Sequence, residues 1–255
     1  MGSVRIEDRD GVTLVTLDDG KANTLSTAML GELQEAADRV SRGRGGVVLT
    51  GTGRFFSAGL DLGEVGTKDR EGVAAILDSV ENMLRDWFVL PRPVVTAVNG
   101  HAIAGGAILA LAGDCRLAAR GEYKFGLTEI ELGIPFPGTA LEVVRYRTGA
   151  GYRDRVILQG ELFLPEAAAA AGLVERVVEP SELLDRAVAA AARLGRTPGE
   201  AFARTKKALL AESVSRIHAE RGEHREAFLD ALTHPDVQKH IRATLEAIKA
   251  RKRQA

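Results

Sequence analysis

Two short glycine-bearing segments and one acidic stretch hold the residue types that could do chemistry in this chain. The segments are Ser57-Ala58-Gly59-Leu60-Asp61 and His101-Ala102-Ile103-Ala104-Gly105-Gly106. In each, glycine lets a ligand come close to the backbone. The second also runs into an apolar stretch that reads as a helix, whose N-terminus adds positive potential. Backbone N–H groups presented in this way suit an oxygen anion, although the same glycines would serve equally as plain turns or tight helix contacts. The acidic stretch is Thr128-Glu129-Ile130-Glu131. A carboxylate at either position could take a proton and return it elsewhere. In an extended chain Glu129 and Glu131 share a face, so spacing alone does not choose between them.

Other reactive residue types find no such setting. Gly51-Thr52-Gly53-Arg54-Phe55-Phe56 lacks the third glycine of a dinucleotide fingerprint, and no Gly-Lys-Ser/Thr occurs. Ser57 does not stand in a Gly-x-Ser-x-Gly elbow. His101, a lone histidine beside the second segment, reads as structural. Cys115 is the single cysteine. It sits in an apolar run without a basic partner and reads as a small buried hydrophobe. No Cys/His spacing suggests zinc, so neither a metal nor a redox cofactor is expected, and a reducing compartment fits. Asp61 and Asp114 each end a turn and are expected to accept local backbone N–H groups. In Gly133-Ile134-Pro135-Phe136-Pro137-Gly138, the prolines and Phe136 shape either an apolar pocket or a rigid loop around a packed aromatic.

The elements that must position these residues alternate between strand and helix. Val4–Glu7 and Val12–Leu17 alternate in polarity around Asp10-Gly11, a hairpin signal. Met29, Leu30, Leu33, Ala36, Ala37 and Val40 recur at helical spacing behind Ser26, a suitable N-cap. A buried-type strand, Val47–Thr50, precedes the first segment. A long amphipathic helix through Val73, Ile76, Leu77, Val80, Met83, Leu84 and Trp87 follows it and ends before Pro91 and Pro93. The strand Val94–Val98, a turn at Asn99-Gly100, a helix from Gly105 to Ala112 and the strand Cys115–Ala119 repeat the pattern. This is α/β organisation. From Pro165 the chain is mainly helical, with one strand-like run at Leu173–Val178 after Gly172. Thr197-Pro198-Gly199-Glu200 has the form of a capping box. Val237, Ile241, Leu245 and Ile248 make an apolar stripe beside a basic cluster of Lys249, Arg251, Lys252 and Arg253, read as a solvated helix end.

The bulk properties allow this and exclude alternatives. With 255 residues and 45% hydrophobic content, one domain, with or without a small appendage, can bury a large core. A formal net charge of −1 provides no overall field for nucleic acid or anionic lipid. The apolar run from Ala102 to Ala112 is too short to span a bilayer, and Met1–Ile6 lack a signal-peptide core or a myristoylation pattern. A cytoplasmic location without membrane or nucleic-acid partners is expected.

Read together with Phe125-Gly126-Leu127-Thr128-Glu129, the two glycine segments resemble the crotonase (enoyl-CoA hydratase/isomerase) superfamily. The active-site pattern is similar to that of its single-glutamate enoyl-CoA isomerases. The resemblance runs from Gly20-Lys21-Ala22-Asn23 through Gly172-Leu173-Val174 to the final helices. It implies an α/β spiral of repeated strand-strand-helix units with a C-terminal helical region, assembled as a trimer or a dimer of trimers. Residues 1–195 would form the core with the acyl-CoA site and 196–255 the docking region. It further implies that the N–H groups of Leu60 and Gly105 form an oxyanion hole for a coenzyme A thioester, flanked by Ala58 and Asp61. Lys21, Ala22 and Asn23 would lie along the adenine end of coenzyme A, and Pro135 and Phe136 along the acyl chain. Coenzyme A would enter as part of the substrate, with no separate cofactor. The resemblance assigns the catalytic role to Glu129. Ile108 stands where two-base hydratases of the family carry a second glutamate, which favours moving a double bond from 3-enoyl to trans-2-enoyl over adding water. Hydration with Glu129 and water, decarboxylation, thioester hydrolysis and acyl-CoA binding without turnover are the alternatives, since one scaffold hosts many reactions.

Overall fold

The structure, a computed structural model, describes residues 2–196 and 199–254, without the side chains of 220, 221 and 248–254. Strands β1 (Val4–Arg9) and β2 (Val12–Leu17) pair antiparallel. Between them Asp10 (φ 56°) and Gly11 (φ 77°) both take the positive φ that a type I′ turn requires. Helix α1 (Thr27–Ser41) starts where the Ser26 hydroxyl accepts the Met29 N–H at 3.2 Å, and it buries the six residues expected of it.

The chain then repeats one unit. Strand β3 (Val47–Gly51) is followed by a short β4 (Phe55–Ser57), the single turn α2 (Leu62–Val65) and the long α3 (Arg70–Phe88). Strands β5 (Val94–Val98) and β6 (His101–Ile103) lead to α4 (Gly105–Ala112), and β7 (Cys115–Ala119) leads to β8 (Phe125–Gly126). The longer strands build a six-stranded sheet in the order β1-β2-β3-β5-β7-β9, where β9 is Arg176–Val178. The short ones build a second sheet, β4-β6-β8, and every pairing after the first hairpin is parallel. Each turn of the spiral thus places one strand in each sheet before a helix returns the chain.

Strands β3 and β5 are buried along their whole length because both faces of the large sheet are covered. Leu183, Ala187, Val188 and Ala191 of α8 (Leu183–Gly195) pack with Leu14, Val48, Val95 and Leu117 on one face. The main core, with Trp87, Phe88, Met83 and Leu30, fills the other.

Helices α5 (Gly138–Arg147), α6 (Ala150–Ile157) and α7 (Pro165–Ala170) complete the core, and α9 (Gly199–Leu209), α10 (Ala211–Thr233) and α11 (Pro235–Gln254) follow. Helix α10 packs on α5 and α3, and α11 on α2 and on a 3₁₀ turn at Ile130–Leu132. Ile241 of the terminal stripe is buried and Val237 and Leu245 are half-buried against the core. The side chains of Ile248 and of the basic cluster 249–253, and Thr197-Pro198 of the capping box, lie outside the described residues. None of the described helices is long and apolar enough to cross a membrane.

Two local expectations change. The run from Leu173 is not a strand until Arg176, because Gly172 (φ 74°) closes α7 in a Schellman turn. Gly172 N–H donates to Ala169 O at 3.0 Å and Leu173 N–H to Ala168 O at 2.9 Å, which folds Leu173 and Val174 into the core. Asp114 does not serve its own turn but binds distant groups. It accepts from Val94 N–H at 3.0 Å, from the buried Lys206 at 2.8 Å and from Arg147 at 3.2 Å, tying β5, α9 and α5 together.

Candidate functional site

The three strands of the small sheet are parallel, with Ser57 beside Ala102 and Ile103 beside Gly126, and the register of β4 on β6 shifts between Phe55 and Ser57. Their continuations, 58–61, 104–106 and 127–129, therefore leave the sheet side by side.

In the first continuation, Leu25 N–H donates to Gly59 O at 2.8 Å and Asp61 N–H to Leu25 O at 3.3 Å. This parallel bridge uses the peptide groups on either side of Leu60, so the Leu60 N–H points the opposite way. Gly59 sits at φ 82°, and a β-carbon there would stand 2.7 Å from Ile103 O and 3.0 Å from Gly105 N. Only glycine fits. Asp61 then caps α2, its Oδ1 accepting the Glu64 N–H at 3.0 Å, as the sequence suggested.

In the second continuation Gly105 opens α4, so its N–H has no acceptor within the helix. A β-carbon on Gly105 would stand 3.8 Å from Leu60 N, which brings the two amides together. Among the described residues no protein acceptor meets the N–H of Leu60 or of Gly105. The positive end of the α4 dipole faces the same spot. At the far end of α4, Arg147 Nε donates to Leu111 O at 3.0 Å, the sign of charge a helix C-terminus favours.

The third continuation carries Glu129. The stretch is not extended: Glu129 is in the right-handed helical region, Ile130–Leu132 form a 3₁₀ turn, and Gly133 (φ 73°) ends it. Glu129 and Glu131 therefore part. Glu131 is exposed, whereas Glu129 Oε2 is shut off from solvent and has no hydrogen-bond partner. Burial pushes the Glu129 carboxyl up to about 7, against the smaller downward pull of the backbone amides of Glu129 and Thr128. Its own carbonyl is fixed by Leu132 N–H at 3.1 Å and Ile134 N–H at 3.0 Å.

Ile108 is buried on α4, one turn beyond Gly105. Pro135 is half-buried, and Phe136 is buried in the main core. His101 has the structural role its isolation suggested. Its Nδ1 accepts Lys124 N–H at 3.0 Å, and its ring lies 5.0 Å from Phe55 and 5.7 Å from Tyr123. Burial, then the charges of Arg54 and Lys124, hold its pKa down. Cys115 is half-buried, and burial raises its thiol pKa. Among the described residues no group of three His, Cys, Asp or Glu side chains could hold a metal ion.

The segment Lys21-Ala22-Asn23 lies against the first continuation. Ala58 N–H donates to Ala22 O at 3.0 Å, and Ser57 Oγ to Asn23 O at 2.7 Å. Asn23, buried at φ 50°, donates its amide to Phe55 O at 2.8 Å and Thr52 O at 3.2 Å. Lys21 is exposed. Asp19 escaped the sequence reading. Its carboxylate accepts the N–H groups of Lys21 at 2.7 Å, Asn23 at 2.8 Å and Thr24 at 2.9 Å. Partial burial raises the Asp19 pKa, but those amides outweigh it and hold the carboxyl below its ordinary value. The turn composition of Asp18-Asp19-Gly20 was the available signal.

A strand-strand-helix spiral with a pair of neighbouring, unpaired backbone amides and one secluded carboxylate at the ends of its small sheet defines a crotonase-type protein. The chain belongs to the enoyl-CoA hydratase/isomerase family, which it matches over residues 7–254. It is 29% identical over 246 residues to human mitochondrial enoyl-CoA delta isomerase 1, covering 95% of this chain and 82% of the relative. It is 33% identical over 238 residues to 2,3-dehydroadipyl-CoA hydratase of Escherichia coli K12, covering 89% of each. The crystal structure of human mitochondrial delta3-delta2-enoyl-CoA isomerase superposes with a TM-score of 0.93 at 28% identity, over 98% of this chain and 99% of that one.

Proposed function

We propose that this enzyme moves a double bond, converting a 3-enoyl-CoA to a trans-2-enoyl-CoA. The observation that carries the reading is the secluded carboxylate of Glu129 at the end of the small sheet, with the aliphatic Ile108 buried on α4 at the position that, by the resemblance, carries a second glutamate in two-base hydratases. In the proposed step the ionised Glu129 takes a proton from C2 of the substrate. The electron pair moves into the thioester as an enolate, whose oxygen accepts from the N–H groups of Leu60 and Gly105. Glu129 returns the proton at C4 while the double bond forms between C2 and C3. Each amide of such a pair lowers the barrier by about 3 to 4 kcal/mol, and a positioned base contributes roughly 10²- to 10⁴-fold.

Burial serves this chemistry, because a carboxylate with a pKa near 7 is a stronger base than an ordinary glutamate and is still about half ionised at neutral pH. Ala58 and Asp61 hold the first amide in place. Lys21, Ala22 and Asn23 are proposed to meet the adenine end of coenzyme A, with Pro135 and Phe136 bounding the acyl chain. The chemistry calls for no cofactor beyond the coenzyme A of the substrate. A trimer or dimer of trimers is the proposed assembly, with 1–195 as core and 196–255 as docking region.

Hydration of a 2-enoyl thioester by Glu129 and water is the second reading, favoured by the hydratase among the relatives. Matched 2-enoyl and 3-enoyl thioesters separate the two. A 2-enoyl product from the 3-enoyl ester supports isomerisation, and a 3-hydroxyacyl product from the 2-enoyl ester supports hydration. Binding without product from any ester would leave an acyl-CoA-binding protein. Glu129→Gln should remove turnover and keep binding, and retained turnover would refute the role given to Glu129.

A further inference from the structure

We propose that Ala104 is a positioning residue, held in a strained backbone conformation that aims the Gly105 N–H. The inference rests on reading Leu60 and Gly105 as the thioester cradle. Ala104 has φ 50° and ψ −128°, a region that glycine enters freely and L-residues avoid. Among the described residues, the other non-glycine residues at positive φ are of the types that tolerate it. Asp10 sits in the hairpin turn, and Asn23 is bonded through its side chain to Thr52 and Phe55. Ala104 has no polar side chain with which to offset the cost.

Its surroundings impose the conformation from both ends. The Ala104 N–H donates to Gly126 O in β8 at 2.9 Å, and the Ala104 carbonyl accepts Ile108 N–H at 3.1 Å within α4. The carbonyl of Ala104 and the N–H of Gly105 belong to one planar trans peptide, so they point in opposite directions. With the carbonyl drawn into the helix, the N–H is turned out of it. The Ala104 methyl lies beside the turn that presents Leu60, 3.0 Å from where a β-carbon on Gly59 would fall. The two hydrogen bonds thereby fix the angle of the Gly105 amide, and the methyl narrows the range of φ and ψ open to Ala104 around it.

Ala104→Gly would release the strain and widen the range of φ and ψ open to the residue, which loosens the aim. An ordinary packing alanine behaves in the opposite way, since its loss lowers stability and leaves a remote reaction untouched. The test compares wild type and Ala104→Gly in three measurements: the thermal midpoint, kcat and KM on 3-enoyl and 2-enoyl thioesters, and the carbonyl stretching frequency of a bound, carbonyl-labelled saturated acyl-CoA. Expected are a midpoint unchanged or raised by about 2 to 4 °C, and a roughly 10-fold fall in kcat with little change in KM, a fraction of what losing a donor costs. The bound carbonyl should shift to lower frequency less in the variant than in wild type. Equal carbonyl shifts and equal kcat in the two proteins would overturn the role of Ala104 and leave the cradle standing, as would a lowered midpoint with unchanged kcat. Absence of any shift in wild type would overturn the cradle and this proposal with it.

Discussion

Ser57 and Gly106 meet backbone to backbone. The Ser57 carbonyl oxygen fills the space a β-carbon on Gly106 would need, with the Ser57 carbonyl carbon 2.7 Å and its Cβ 2.8 Å from that point. Strand β4 therefore rests directly on the first turn of α4, and the two amides keep their separation through this contact. Gly106→Ala must force the two apart. Overpacking of this kind costs about 1 to 3 kcal/mol, so the urea midpoint should fall and turnover should fall further than the loss of folded protein explains. Gly31→Ala is the matched control. That glycine lies inside α1 with nothing near its missing β-carbon, and the exchange should stabilise by roughly 0.5 to 1 kcal/mol with unchanged turnover.

The carboxyl of Glu129 gives the stability a pH dependence of known sign. Its pKa is about 7 in the folded protein against 4.5 for a free side chain, so between these values the native chain holds a proton that the unfolded chain releases. Stability from this residue is full below about 4.5 and is lost as pH rises through 7. Above that, the buried charge costs on the order of 3 kcal/mol. Urea titrations of wild type and Glu129→Gln should agree near pH 4.5 and diverge toward pH 8, with the variant the more stable. Parallel curves would show that Glu129 is not secluded.

Turnover should follow the opposite slope, because the proposed base is the ionised form. The acid limb of kcat/KM is expected to reach half its plateau near pH 7, where the carboxyl titrates in the free enzyme. A limb centred near 4.5 would mean that Glu129 meets water as an ordinary surface carboxylate does.

Asp19 organises a loop without touching either amide. Asp19→Ala removes the acceptor for Lys21, Asn23 and Thr24 N–H groups, and should cost about 1 to 2 kcal/mol. Substrate KM should rise several-fold as the 21–23 segment loosens, with kcat within about two-fold of wild type. Because its pKa is lowered, the stabilisation by Asp19 is present above 3.8 and fades as pH falls through its folded value. The stability gap between wild type and variant should therefore narrow in acid.

What could be read beforehand followed periodicity and glycine. Helix α4 and strand β7 match their expected limits, Gly105–Ala112 and Cys115–Ala119, because an apolar run bounded by Gly105 and Gly113 has few other readings. The small sheet was not legible: β4, β6 and β8 are two or three residues long, too short for any pattern to repeat. The choice between Glu129 and Glu131 was invisible to spacing for a related reason. It depends on a 3₁₀ turn whose one local mark is Gly133, and an isolated glycine announces many things. Lys206 defeats pattern reading altogether, since a lysine is assigned to solvent unless a distant carboxylate, here Asp114, draws it inside.

Because three neighbouring strands each end in one functional segment, the site is assembled from parts that can vary independently. On the proposed reading, the segments after β4 and β6 would hold whatever oxygen gathers charge, and the segment after β8 would determine where the proton travels. A lineage could exchange the third segment, relocating or duplicating its acid, while still gripping the same class of thioester with the other two. On that view the β4-β6-β8 sheet is a socket in which the reaction is replaceable and the substrate handle is kept.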